Sequence, residues 1–86
     1  MLTLVCHRTA PDARNVPTHF YRVEISYNLF GEYTVIREWG RVGTRGHHVS
    51  VWFANLRDAV LVADRSVRRA TGRGYDLTER LFAPAA

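Results

Sequence analysis

"FYRVEISYNLFGEYTVIREWG", Phe20 to Gly40, is the stretch that decides the fold. In its first half Tyr21, Val23, Ile25 and Tyr27 alternate with Arg22, Glu24 and Ser26, the period of a strand with one buried and one wet face. Asn28 and Gly31 then supply turn chemistry, and "YTVIREW" is β-branched and aromatic enough to be the returning strand of a hairpin. Upstream, "MLTLVCHR" reads as a further strand, separated from the hairpin by "TAPDARNVPT", where two prolines with Asp12 and Asn15 mark a loop. Downstream, "RVGTRG" breaks regularity, and "HVSVWF" alternates again, with Val49, Val51 and Phe53 on one face and His48, Ser50 and Trp52 on the other.

The character changes at Asn55, a helix cap with Asp58 three residues on in the position of a capping-box acid. Leu56, Ala59, Val60, Ala63, Val67 and Ala70 recur at helical spacing, one apolar stripe to lay on the sheet, and Gly72 and Gly74 stop the helix. Arg68, Arg69 and Arg73 sit at its carbonyl end, where they serve either the helix dipole or a phosphate. "DLTERLFAPAA" is expected to add a short turn through Leu81 and Phe82 and then fray. The fold class is therefore α+β: a small twisted, mainly antiparallel sheet with one amphipathic helix packed on it.

With 86 residues the chain has room for one domain, 1–86, and a thin core. At 47% hydrophobic and 23% charged it is too rich in apolar residues to be disordered. The lone cysteine, Cys6, lies in the apolar run "LTLVC" and reads as a small buried hydrophobe in a reducing compartment. That run is shorter than a signal-peptide core and nothing later approaches a membrane span, so the expected location is the cytoplasm and no membrane partner is expected. The net charge is +4, carried by twelve arginines and no lysine, a balance that favours an anionic partner.

The chemistry concentrates in "REWGRVGTRG", Arg37 to Gly46. On an unbroken strand Tyr33, Val35, Arg37, Trp39 and Arg41 share one face, with Trp39 and Arg41 about 7 Å apart by the strand rise. Gly40 between them would let a ligand approach the main chain, and "GTRG" offers amides and Arg45 to a phosphate oxygen. Indole for stacking and guanidinium for phosphate make a coherent nucleic-acid surface. The competing reading is a tryptophan buried under the helix and an arginine paired with Glu38 or Glu32.

"FYRVEISYNLFGEYTVIREWGRVGTRG", followed by an apolar strand, an amphipathic helix and "RGY", resembles the WGR domain, a Trp-Gly-Arg module of poly(ADP-ribose) polymerases and many small bacterial proteins. The resemblance is strongest over 20–75, leaving 76–86 as a short C-terminal tail. It implies the same sheet-and-helix fold and a role at DNA strand breaks, as in DNA repair. In the polymerases the motif tryptophan packs on a terminal sugar and the motif arginine reaches the backbone and neighbouring domains. Those positions are Trp39 and Arg41 here, and the closing aromatic is Tyr75. Arg45 joins the candidate set on physical grounds, as does Gly40. Before the aromatic pair the polymerases usually carry an Asn and often a Lys, where this chain has Thr18 and His19.

No catalytic constellation accompanies the motif. Without lysine there is neither a Walker-type phosphate lysine nor a Schiff-base nucleophile. His47 and His48 are adjacent on a strand and point to opposite faces, which argues against a shared zinc site, and Cys6 beside His7 fails as nucleophile and base by the same geometry. The expectation is a non-enzymatic DNA-binding module with no cofactor. The rival is a protein-interaction module that turns the same Trp39 and Arg41 toward an acidic partner, since aromatics and arginine also anchor protein interfaces. Trp52 is read as packing or as a second stacking platform.

Overall fold

The structure is a computed structural model that describes residues 2–12, 14 and 16–83. Its elements in chain order are β1 (Leu2–Arg8), β2 (His19–Tyr27), β3 (Tyr33–Arg41), β4 (His47–Phe53), α1 (Leu56–Gly72) and β5 (Asp76–Phe82). The strands form one antiparallel sheet in the order β4-β3-β2-β1-β5. The predicted hairpin is β2–β3, in register from His19↔Arg41 to Tyr27↔Tyr33. Asn28 sets its turn: the side-chain Oδ1 accepts from the Phe30 and Glu32 N–H groups at 2.9 and 3.0 Å, so the bend is closed by a side chain as well as by the ladder.

The alternation read from the sequence holds in space. Val23, Ile25 and Val35 are buried beneath α1 against Ala59 and Ala63, with Leu2, Tyr21, Tyr33, Phe53, Val62 and Val67 packed around them. Asn55 caps α1 as expected, its Oδ1 taking the Asp58 N–H at 2.9 Å while its Nδ2 donates to the Asp58 carboxylate at 3.1 Å. The buried stripe is narrower and smaller than the periodicity suggests. Ala59, Ala63, Ser66 and Ala70 touch the sheet, whereas Leu56 and Val60 are 44% exposed. Small side chains let the helix backbone settle close to the strands, which pushes the larger residues to its flanks. Ser66 tolerates burial because its hydroxyl donates to the Val62 carbonyl at 2.8 Å.

The C-terminal stretch differs from the expected turn. Asp76–Phe82 is a fifth strand, paired antiparallel with β1 through a register shift at Val5/Cys6. All seven of its residues are exposed, so no buried face stamps a period on the sequence; backbone pairing with β1, joined by the Thr78 hydroxyl that donates to the Val5 carbonyl at 3.2 Å, holds it in the sheet. The predicted fraying beyond it at 84–86 lies outside the described residues, as does Asn15 in the β1–β2 loop.

Cys6 is fully buried between β2 and β5, where it pairs with Tyr21 and Leu77. Burial, and secondarily the negative charge of Asp76, pushes its thiol above the ordinary value of 9.0. The unfolded chain therefore loses this proton at lower pH than the folded one. The resulting stabilisation is intact below pH 9.0 and is lost as pH rises through the folded value. Denaturant titrations carried from neutral pH to beyond pH 9.0 should show wild-type stability falling more steeply than that of Cys6→Ala. Parallel profiles would contradict this account.

Candidate nucleic-acid interface

On the helix side of the sheet, a cleft of about 400 Å³ opens beside the carbonyl end of α1. Beside the cleft runs a row of rings across three strands and the link between α1 and β5. Tyr75 meets Tyr21 of β2 edge-on at 6.1 Å, Tyr21 stacks on Trp39 of β3 at 6.3 Å with 22° between planes, and Trp39 lies 5.8 Å from the His47 ring of β4. The row follows from register, because Tyr21, Trp39 and His47 are directly opposed across the two ladders. Tyr75 arrives from the helix end. Gly74 adopts φ +92, a left-handed conformation open to glycine, and the Tyr75 N–H donates to the Ala70 carbonyl at 3.1 Å, which folds the chain back onto the sheet.

Four arginines wall the cleft: Arg8 from β1, Arg37 from β3, and Arg69 and Arg73 from the last turn of α1 and its cap. The Arg8 guanidinium stands 5.1 Å over the Tyr75 ring, a cation–π contact. Among the described residues no carboxylate lines the cleft. Among the described residues the ion pairs are Arg22–Glu24 at 3.4 Å and Arg68–Asp64 at 3.0 Å, and neither involves a cleft arginine. The cleft thus combines ring faces with uncompensated positive charge and a carbonyl-end helix terminus already furnished with cations.

The structure divides the sequence-predicted site. Trp39 and Tyr75 come together, joined through Tyr21. Trp39 is half-buried, neither sealed under the helix nor fully open to solvent. Arg41 ends β3 exposed beyond the cleft, its carbonyl accepting from the Thr44 N–H and hydroxyl at 3.1 and 2.8 Å. Arg45 lies on the opposite face, along a shallow groove with Phe20, Arg22, Glu38 and Glu79, and does not adjoin Trp39. Gly40 lies between Trp39 and Arg41 on β3. The space beside it is filled by the chain itself: a methyl group there would stand 2.7 Å from the Gly46 Cα. Of the arginines that sequence reading did not place in the site, Arg37 carried a signal in its shared face with Trp39. Arg69 and Arg73 carried one in their place at the carbonyl end of α1. Arg8 carried none, since only the fold brings β1 to the residues after α1.

Among the described residues, no group of three His, Cys, Asp or Glu side chains gathers where it could hold a metal ion. No described helix is long and apolar enough to cross a membrane.

Fold and cleft together define a small α+β module equipped for binding. The chain belongs to the WGR family: the WGR domain model matches residues 4–81, which takes in most of β1 and of β5 as well as the motif. It is 36% identical over 63 residues to a protein of Sinorhizobium fredii (strain NBRC 101917 / NGR234) described as "Uncharacterized protein y4dW". That match covers 73% of this chain and 30% of the relative. No solved structure matches. WGR domains are binding modules, known to bind nucleic acid in the poly(ADP-ribose) polymerases.

Proposed function

We propose that the chain binds DNA through the helix-side cleft, with a preference for ends, nicks or single-stranded segments. The observation that carries this reading is the four arginines, free of ion pairs among the described residues, around one row of aromatic rings. Four guanidinium groups held together without a carboxylate repel one another, and a polyanion relieves that repulsion while rings offer its bases and sugars a face. Size supports the preference. A cleft of about 400 Å³ is at the small-molecule scale and admits a nucleotide, not a duplex. Only a strand that is free or interrupted can send one in. Trp39 and Tyr75 would pack on the entering sugar or base, Arg8, Arg37, Arg69 and Arg73 would take phosphates, and Arg41 would meet the backbone outside the mouth. The role is binding without catalysis.

Fluorescence anisotropy with labelled single-stranded, blunt, nicked and circular DNA tests this directly. Ends, nicks and single strands should bind more tightly than circles. Trp39→Ala should weaken that binding about five- to a hundredfold, the range for one base-stacking aromatic. Its circular dichroism and thermal transition must be read alongside, because Trp39 also packs on Tyr21. Equal binding to circles, or full affinity in a folded Trp39→Ala protein, would reject the reading and favour a protein partner for this surface.

A further inference from the structure

The two edges of the sheet are built differently. The β5 edge carries Asp76, Glu79 and Arg80, and its pairing with β1 is broken by a register shift; charge and irregularity of this kind discourage further strand addition. The β4 edge, "HHVSVWF", has no acid, arginine, proline or glycine, and its register with β3 runs unbroken from His47 to Phe53. Every β4 residue but Phe53 is exposed. Val49 and Val51 are 38% and 39% exposed on the helix side and Trp52 is 64% exposed on the other face.

The direction of its free hydrogen-bonding groups follows from the ladder. The Val42 N–H donates to the Thr18 carbonyl and the Asn28 N–H to the Glu32 carbonyl, each at 3.0 Å, and these bonds extend the β2–β3 register at its two ends. By the alternation of antiparallel pairs, even-numbered positions of β3 therefore bond to β2 and odd-numbered ones to β4. On β4 the odd positions are the partners, as in Val35↔Val51 and Arg37↔Val49. The N–H and C=O groups of His48, Ser50 and Trp52 point away from the sheet.

We propose that two copies of this chain join β4 to β4, antiparallel about a twofold axis at Ser50, into one continuous ten-stranded sheet. The occupant is a second copy because the strand is complementary to itself in that register. Ser50 faces Ser50 of the second copy. His48 meets Trp52 twice on the open face, imidazole against indole, and Val49 meets Val51 twice on the helix side, covering the half-exposed valines. No formal charge of the +4 chain lies on the strand, so none meets its like across the join. His48, Ser50 and Trp52 would close about six backbone hydrogen bonds. The axis stands perpendicular to the sheet, so both helices and both clefts occupy one face. The two His47 positions, one beside each Trp39, would be offset by about 20 Å along the join.

Cysteine cross-linking reads the register. Directly opposed residues in a hydrogen-bonded pair have Cα atoms about 5.5 Å apart, within disulfide reach. The native Cys6 is fully buried and does not interfere. Mild oxidation should convert Ser50→Cys to a covalent dimer rapidly and leave Trp52→Cys, which faces His48, monomeric on denaturing gels. By sedimentation, the wild-type chain should reach twice its 9.9 kDa mass as concentration rises. Ser50→Lys, on an exposed side chain, should stay monomeric with an unchanged circular dichroism spectrum because it sets like charges face to face. A wild-type chain that remains monomeric at millimolar concentration would overturn the proposal. So would cross-linking of Trp52→Cys as fast as Ser50→Cys, or a Ser50→Lys protein that still dimerises.

Discussion

Reversing two charges at the end of α1, in Arg69→Glu with Arg73→Glu, is expected to lower affinity for single-stranded or end-bearing DNA at least a hundredfold. Both side chains line the cleft, both are exposed, and neither takes part in an ion pair among the described residues. The double variant removes two phosphate partners and sets two carboxylates beside an incoming phosphate. Losing two charge-assisted contacts of about 1.5 to 3 kcal/mol each already accounts for a hundredfold or more. Salt dependence gives a second, independent reading. If all four cleft arginines meet phosphates, log affinity should fall against log salt with a slope near −3.6 for duplex ends and near −2.8 for single strands, estimates from about 0.9 and 0.7 per phosphate. The double variant should flatten either slope by close to two contacts' worth. The fold should tolerate the change. Acids at a helix carbonyl end oppose the dipole by about 0.3 to 1 kcal/mol apiece, a shift of several degrees in a thermal melt. The neutral pair Arg69→Gln and Arg73→Gln separates that cost from binding: it should melt nearly as wild type and still lose most of the affinity. A double reversal that keeps both its affinity and its salt slope would remove the helix end from the interface.

What could be read in advance follows from how each feature is encoded. The β2–β3 hairpin and α1 were legible because burial on one face imposes a period, two for Tyr21 to Tyr27 and near four for Ala59 to Ala70, and because Asn28 and Asn55 mark turn and cap by local hydrogen bonding. β5 was not, since a strand exposed at every position is specified by its neighbour β1 and leaves no pattern of its own. The site divides in the same way. Strand parity placed Arg37 with Trp39, whereas Arg69 and Arg73 were legible only as cations at the carbonyl end of α1, open to the helix dipole or to a phosphate. Arg45, four residues after Arg41, shows that closeness in the chain does not fix the face: the loop after β3 carries it to the opposite side of the sheet from Trp39. Arg8 and Tyr75 form a cation–π pair across 67 positions, a distance that no local signal spans.

Gly46→Ala is expected to destabilise the fold by about 2 to 4 kcal/mol, among the larger costs for so small a change. Gly46 sits at φ +67, where an L side chain is strained, and a methyl group there would run into the Trp39 carbonyl and approach the Phe20 ring at 3.2 Å. The obstacle is backbone, which cannot swing aside. Relief requires the loop after β3 to lift from the strand, and that movement acts on the residue whose ring floors the cleft. A thermal shift of roughly 10 to 25 °C would follow for a domain of this size. Gly43→Ala provides the control, since Gly43 also has positive φ, +90, yet a methyl group there meets nothing within 4 Å. It should cost only the strain, about 1 to 2 kcal/mol. The contrast explains the glycine of the Trp-Gly-Arg motif. A side chain at Gly40 would strike the Gly46 Cα and one at Gly46 would strike the Trp39 carbonyl, so the two glycines let the loop lie against the strand behind Trp39. The motif's glycine thus serves the tryptophan's placement, while its arginine ends the strand whose carbonyl anchors Thr44. If Gly46→Ala melts within a degree or two of Gly43→Ala, the loop does not lie against the strand in this way and the position of Trp39 depends on its ring contacts alone.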